Sequence, residues 1–280
     1  MTKFDSSKVV DVNYLKSVRD NNNVVVIDAR GNMLEDGSLM YDRAIVLDWT
    51  DISLLGEFGG EDLGKLLSKT NYKEIFSMLN IDDETEVLAY GFTMPEAGFG
   101  DEGRIIYTFE YAGLKNVKLI DGGYKHIEEL GFNKKYNKEL DRIDFSSINR
   151  VEAKDNKKAI FTDELLNLVG NKDIQIIDTR LAVEYNGRVI YGENKAGHIK
   201  GALSLPFNSL VDANGLLKSK DEISAYLLEL GIDKNKTQIT YCTTGVRASY
   251  IVVIMEELGY KVRNYEPSFA RYANVGEVEV

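Results

Sequence analysis

Apolar residues come along this chain in short bursts separated by longer mixed stretches. Val24-Val-Val-Ile27 is an unbroken apolar run closed by Asp28-Ala-Arg30, and Ile174-Gln-Ile-Ile177 is closed the same way by Asp178-Thr-Arg180. Runs of this length predict strands buried on both faces, as in a parallel sheet. Between the bursts lie helical stretches that read as amphipathic: Tyr72–Leu79, Arg104–Ala112, Ser219–Leu230 (opened by a Ser219-x-x-Glu222 capping box) and Arg247–Leu258. Short strands alternating with helices predict an α/β fold, a mostly parallel sheet with helices on both faces.

The pattern occurs twice. Asp28 and Asp178 are 150 positions apart (178 − 28), and Val87-Leu-Ala-Tyr90 returns as Ile239-Thr-Tyr241 at 151 (241 − 90). Asn116-Val117 returns as Lys261-Val262, and Gly123-Tyr124 as Ser268-Phe269, both at 145 (262 − 117, 269 − 124). A nearly constant offset means an internal duplication. The drop of about six after the second landmark predicts a longer loop in the first copy, at the point where the second copy carries Cys242. The stretch Asn133–Lys158 is rich in Lys, Asn and Asp and weak in periodicity, so it is expected to link two domains, residues 1–140 and 155–280.

Composition narrows the chemistry. With 280 residues, 44% of them apolar, each half can bury its own core. No stretch approaches the roughly 20 apolar residues of a membrane helix, and Met1-Thr-Lys-Phe-Asp-Ser-Ser-Lys has no signal-peptide hydrophobic region, so a soluble, cytoplasmic protein is expected. A formal charge of −11 argues against nucleic acid as a partner but leaves a small anion possible, held by local amides and an arginine. One cysteine and two histidines exclude an intrachain disulfide and leave no Cys/His zinc cluster.

The lone cysteine sits in a telling context. Ile239-Thr-Tyr241-Cys242-Thr243-Thr244-Gly245-Val246-Arg247-Ala248 reads as strand, short loop and helix start. This puts Cys242 at the carboxyl end of a parallel strand, where open α/β sheets take their ligands. The amides of Thr243 to Arg247 can curl around the sulfur, the next helix aims its positive end at it, and Arg247 adds a full charge; all three favour thiolate over thiol. Gly245 suits a tight turn that calls for positive φ. Cysteine phosphatases place five residues between cysteine and arginine, whereas four stand here, so the smaller ring suits a sulfane sulfur better than a phosphate.

Cys242-Thr-Thr-Gly-Val-Arg247 resembles the active-site loop of the rhodaneses. Gly197-His198-Ile199-Lys-Gly201-Ala202 is similar to that family's Gly-His-Ile-x-Gly-Ala signature, and Asp178-Thr-Arg180 with Glu184-Tyr185 resembles its Asp-x-Arg-x-x-x-Glu-Tyr stretch. In the first half, Asp28-Ala-Arg30 and Leu119-Ile-Asp121-Gly122-Gly123-Tyr124 match the tandem members, so the resemblance covers nearly the whole chain. It implies two tandem rhodanese-like domains, the first without a cysteine; Gly91 stands where that cysteine would align, and Tyr41-Asp-Arg-Ala-Ile45 is a degenerate form of the Gly-His-Ile block.

The activity so implied is double displacement: Cys242 takes sulfane sulfur from thiosulfate or 3-mercaptopyruvate, then passes it to cyanide or a thiol. Thr243, Thr244, Gly245, Val246 and Arg247 would cradle the donor, Arg188 or Arg180 would meet its anionic end, and Asp178 and His198 would support the pocket. No metal or organic cofactor is implied.

Thiosulfate enzymes of this family often carry a lysine or arginine where Thr243 and Thr244 stand, and mercaptopyruvate enzymes tend to carry Gly-Ser there. Tandem members often place an arginine at the position of Glu184. Other features have blander readings. His198 is expected to fix the turn before the next strand rather than act as a base, and His126 is expected at the surface. Arg180 can equally tie its loop to a carboxylate. Gly98-Phe-Gly100-Asp-Glu-Gly103 matches a dinucleotide fingerprint, but it starts eight residues past Tyr90 (98 − 90) and sets two acids toward a pyrophosphate, so a glycine loop is expected instead. The competing functions are a non-catalytic sulfur-binding module and a phosphate-ester or arsenate enzyme.

Overall fold

The computed structural model describes residues 2–34, 38–39, 41–94, 99–133, 135–136, 142–154 and 157–280. Gly98 of the glycine-rich run, parts of the expected linker and the expected domain limits 140 and 155 lie outside the described residues. The chain forms two compact units. The first takes Met1–Ile52, Leu67–Val151 and Val211–Ser219, and the second takes Ser53–Leu66, Glu152–Leu210 and Lys220–Val280.

The described elements of the first unit are β1 (Val9–Val10), α1 (Val12–Ser17), β2 (Val24–Asp28), β3 (Ser38–Leu39), β4 (Ile45–Val46), α2 (Lys69–Met78), β5 (Glu86–Tyr90), α3 (Asp101–Ala112), β6 (Val117–Ile120), α4 (Gly123–Glu128) and β7 (Lys135–Tyr136). Its parallel sheet runs β1-β6-β5-β2-β4, and β3 pairs antiparallel with β7. Leu15, Val26, Leu88, Tyr90, Ile120 and Ile127 pack together as its core.

The second unit repeats the plan with β8 (Ala159–Ile160), α5 (Thr162–Leu168), β9 (Ile174–Asp178), α6 (Ala182–Tyr185), β10 (His198–Ile199), β11 (Leu203–Ser204), α7 (Lys220–Glu229), β12 (Thr237–Tyr241), α8 (Val246–Glu257), β13 (Lys261–Tyr265), α9 (Ser268–Val275) and β14 (Val278–Glu279). Its parallel sheet runs β11-β9-β12-β13-β8, the same order strand for strand, and β10 pairs antiparallel with β14. Ile160, Leu165, Ile176, Ile239, Tyr241, Tyr265 and Phe269 belong to its core. β2 and β9 share a burial pattern in which the last three residues are buried, so each sheet covers the carboxyl ends of its central strands.

Two features depart from the sequence expectation. Residues 53–66 belong to the second unit, and 211–219 to the first. The first segment folds on itself through a Ser53–Leu66 bridge, accepts the Thr162 hydroxyl on Glu61, and receives Arg271 on that same carboxylate. The second closes with a Val211–Leu217 bridge, and the Leu217 amide donates to Asp121 at 2.9 Å. Such tethers join residues far apart in sequence and leave no periodic mark. The second departure is α8, expected to be amphipathic, in which every residue from Val246 to Met255 is buried. A helix apolar nearly all round is one enclosed on all sides, and its polar members Arg247 and Ser249 each have a buried partner.

Candidate active site

The loop after β12 is short because α8 begins at Val246, leaving Cys242 to Gly245 to make the turn, against residues 91–100 between β5 and α3. Gly245 is the N-cap of α8 at φ 87°, ψ −7°, a left-handed conformation in which a side chain would be strained. That turn brings its own N–H to the Cys242 Sγ at 3.0 Å. On the other side, the first turn of α9 grips the loop backbone: the Phe269 amide donates to the Cys242 carbonyl at 2.9 Å and the Ala270 amide to the Thr243 carbonyl at 3.1 Å. The Cys242 amide donates to the Ser268 hydroxyl at 3.2 Å. Ser268 itself holds φ 53°, rare for a residue with a side chain. Cys242 is only 1% exposed, and Thr244 is the one loop residue that is not buried.

Arg247 lies one residue into α8 and is buried. Its Nη1 donates to Glu184 Oε2 at 2.6 Å and its Nη2 to Glu184 Oε1 at 3.0 Å, while Nη2 also reaches the Thr243 hydroxyl at 2.6 Å. Burial alone would raise the Glu184 carboxyl, but the Arg247 hydrogen bond and charge outweigh it, helped by the Leu181 amide and the Arg180 charge, and hold it below its ordinary range. Burial would likewise lower Arg247, yet Glu184 and the neighbouring Cys242 keep it firmly charged. Tyr191 closes this side, its ring centroid 5.6 Å from the Arg247 guanidinium carbon.

Asp178 and Arg180 form a second buried pair beneath the loop. Arg180 donates through Nε and Nη2 to the Asp178 carboxylate, through Nη2 to the Gly197 carbonyl at 2.7 Å, and stacks 3.7 Å from the Phe269 ring centroid. Tyr241 adds its hydroxyl to Asp178 Oδ2 at 2.7 Å; burial and that negative charge keep its phenol protonated well beyond the ordinary range. The first unit builds the same arrangement with Asp28, Arg30 and Tyr90, the Tyr90 hydroxyl reaching Asp28 Oδ2 at 2.7 Å, although no cysteine stands there. A construction retained where there is no sulfur to serve is a scaffold. Of the two readings of Arg180, these contacts are those of the loop tie: its guanidinium holds Asp178 and Gly197 and stacks on Phe269.

The glycine-histidine block braces that scaffold. The His198 ring stacks on Tyr185 at 3.6 Å between centroids, its Nδ1 lies 3.0 Å from the Tyr185 carbonyl, and its Nε2 faces Glu279 at 3.5 Å. The Ile199 amide donates to the Tyr241 hydroxyl, and the Tyr185 hydroxyl to the Ala202 carbonyl. Arg188 is exposed and has no ion-pair partner among the described residues. His126, expected at the surface, is part-exposed, with its Nε2 2.8 Å from the Asn214 carbonyl.

Sequence reasoning did not single out Glu184 as the partner of Arg247, nor Ser268. For Ser268 a signal existed: it aligns with Gly123, at φ 65°, and a glycine in one copy flags a left-handed backbone in the other. In the first unit the Tyr124 amide donates to the Gly91 carbonyl at 2.9 Å, as Phe269 does to Cys242, so Gly91 holds the cysteine's place in the backbone. A Cβ on Gly91 would meet Glu102 Oε2 at 2.1 Å, and Glu102 aligns with Arg247 at the offset of 145 (247 − 102).

Among the described residues no cluster of three or more His, Cys, Asp or Glu could hold a metal ion, and no helix is long and apolar enough to cross a membrane.

Residues 161–274 match the model of the rhodanese-like domain. The chain is 28% identical over 247 residues to a Mycolicibacterium smegmatis protein provisionally named a thiosulfate sulfurtransferase, covering 84% of this chain and 83% of that one. It is 25% identical over 259 residues to the sulfur carrier protein TtuD of Thermus thermophilus, covering 88% of each. Among solved structures, the anaerobic ergothioneine biosynthesis enzyme of Chlorobium limicola matches 98% of this chain and 70% of its own, with a TM-score of 0.79 at 18% identity, a likeness of fold. Residues 161–274, which hold the cysteine loop, thus form a rhodanese-like domain, and the first unit repeats its parallel sheet strand for strand.

Proposed function

We propose that Cys242 carries sulfane sulfur as a persulfide, taking it from thiosulfate and delivering it to cyanide or a thiol. The observation that carries this reading is the cradle itself: a buried sulfur at a strand end, with the Gly245 N–H donating to it at 3.0 Å inside a loop of four residues before Arg247. In the first step the Sγ–S bond forms as the S–S bond of thiosulfate breaks, and sulfite leaves with the electron pair. In the second, the acceptor takes the outer sulfur and the pair of the Sγ–S bond returns to Sγ. Two displacements at sulfur replace one direct transfer. Thr243, Gly245 and Val246 shape the cradle, Thr244 is its part-exposed member, Arg247 holds the loop closed through Glu184, and Arg188 is an exposed cation that can attract an anionic donor. 3-Mercaptopyruvate is the alternative donor.

Mass spectrometry of the intact protein after incubation with either donor tests the reading. The expected result is a gain of one sulfur, about 32 Da, removed by cyanide and absent in Cys242→Ser. Absence of the adduct with both donors, together with Cys242-dependent hydrolysis of para-nitrophenyl phosphate, would replace it with the phosphate-ester reading.

A further inference from the structure

The two ionised groups beside Cys242 cancel one another. The Arg247 guanidinium faces the Glu184 carboxylate along a two-pronged contact, and both are buried and held charged. The pair therefore presents a dipole to the sulfur, with no net positive charge. Beyond the Gly245 N–H and the N-terminus of α8, the neighbouring side chains add no net positive charge: the Tyr191 phenol is raised by burial and, against the pull of Arg247, by the charges of Glu184, Cys242 and Glu193. The Tyr191 amide donates to Glu193 Oε2 at 3.0 Å, which keeps that carboxylate on the same segment. Val189 and Ile190, which lead into Tyr191, are exposed and apolar, at 44% and 41%. Arg188 is exposed to solvent, so it can draw an anion toward the protein while adding little to the field inside the loop. A dianion entering this loop meets the amide cradle but a side-chain pair of no net charge; a donor of lower charge gives up less solvation to reach the same sulfur.

We propose that Glu184 tunes the donor preference of this site: by cancelling Arg247 it disfavours dianionic donors relative to organic hydropersulfides RS–SH with an uncharged R group, which carry at most one negative charge. The inference rests on the persulfide reading above and ranks its donors. The chemistry balances without a co-reactant. The Cys242 thiolate attacks the terminal sulfur of RS–SH, the RS–S bond breaks, and the departing thiolate takes the proton of the S–H to leave as RSH. The persulfide anion stays on Cys242. Glu184 touches no reacting atom and acts through Arg247, so it is a positioning residue whose mark is a change in preference between donors.

The test compares thiosulfate with benzyl hydropersulfide as donors to the full-length protein, the second-order rate of Cys242 loading being read by mass spectrometry of quenched samples. In Glu184→Gln the thiosulfate-to-hydropersulfide rate ratio is expected to rise about tenfold, since the donors differ by at least one charge and the carboxylate lies within one side chain of the loop. Arg247→Gln, which leaves Glu184 unmatched, is expected to move the ratio the other way and gives an independent reading if the first variant does not fold. Damage to the loop slows both donors together; a ratio unmoved in both variants overturns the proposal. Loading from neither donor in the wild type overturns the sulfur-transfer reading itself, an outcome distinct from an unmoved ratio.

Discussion

At the scale of single residues, the duplication acts as an internal control. Arg30 and Arg180 make the same buried contacts with Asp28 and Asp178, yet only the second copy carries a cysteine. Removing either guanidinium strands a buried carboxylate, a loss of about 3–5 kcal/mol where a buried pair is broken on one side. Arg30→Met and Arg180→Met are therefore expected to lower the unfolding free energy of their own units by similar amounts in urea titrations. An Arg180→Met protein of native stability with a raised KM for thiosulfate would instead make Arg180 a donor contact. Cys242, Gly245 and Arg247 were legible in the sequence because their spacing is local. The Glu184–Arg247 contact was not, because its partners are 63 positions apart (247 − 184) and meet only once β9 and β12 have paired.

At the scale of elements, the short cysteine loop depends on how α8 begins. The glycine caps of α3 and α8 adopt the same left-handed backbone, φ 76° at Gly100 and 87° at Gly245, but only the second aims its N–H at a sulfur. Gly100→Ala and Gly245→Ala should each cost about 1–2 kcal/mol from the misplaced Cβ. Gly245→Ala alone should also slow persulfide loading, by about tenfold, as the strained turn carries the residue 245 N–H away from the sulfur. Comparing melting temperature with loading rate in the two variants separates the contributions; equal loading rates would show that the amide does not serve the sulfur. The strands and the six-residue difference between the loops could be read from the offsets 151 and 145. The enclosure of α8 could not, because Arg247 and Ser249 look like a polar face until their buried partners are known.

For the molecule as a whole, the two units invite different responses to pH. In the first, burial lifts Asp101 to about 7, with the Asp48 charge adding to it, and lifts Glu102 to about 8, with Asp101 and Asp121 adding to it. Asp101 Oδ2, Glu102 Oε2 and Asp121 Oδ2 are buried with no hydrogen-bond partner among the described residues, which agrees with carboxyls that keep a proton. The folded chain thus binds more protons than the unfolded one from about pH 4 up to about 8, and the stability these groups lend is lost as the pH rises through the folded values. The melting temperature of the first unit should fall by several degrees between pH 5.5 and 8.5, and Glu102→Gln should flatten much of that slope. An unchanged slope would mean that Glu102 is ionised throughout. The interleaved unit membership of 53–66 and 211–219 was equally beyond sequence reading, since neither segment has a periodicity to betray its partner.

The Glu102 carboxyl beside Gly91 also bears on how a duplicated gene ages. A cysteine placed at 91 would bring its Cβ to 2.1 Å from the Glu102 Oε2, the far end of a flexible side chain that can turn aside. The thiol would then sit beside an acid where the second copy has a guanidinium, without the cation that favours thiolate. A working nucleophile in the first copy therefore calls for a change of charge at 102 as well as a thiol at 91.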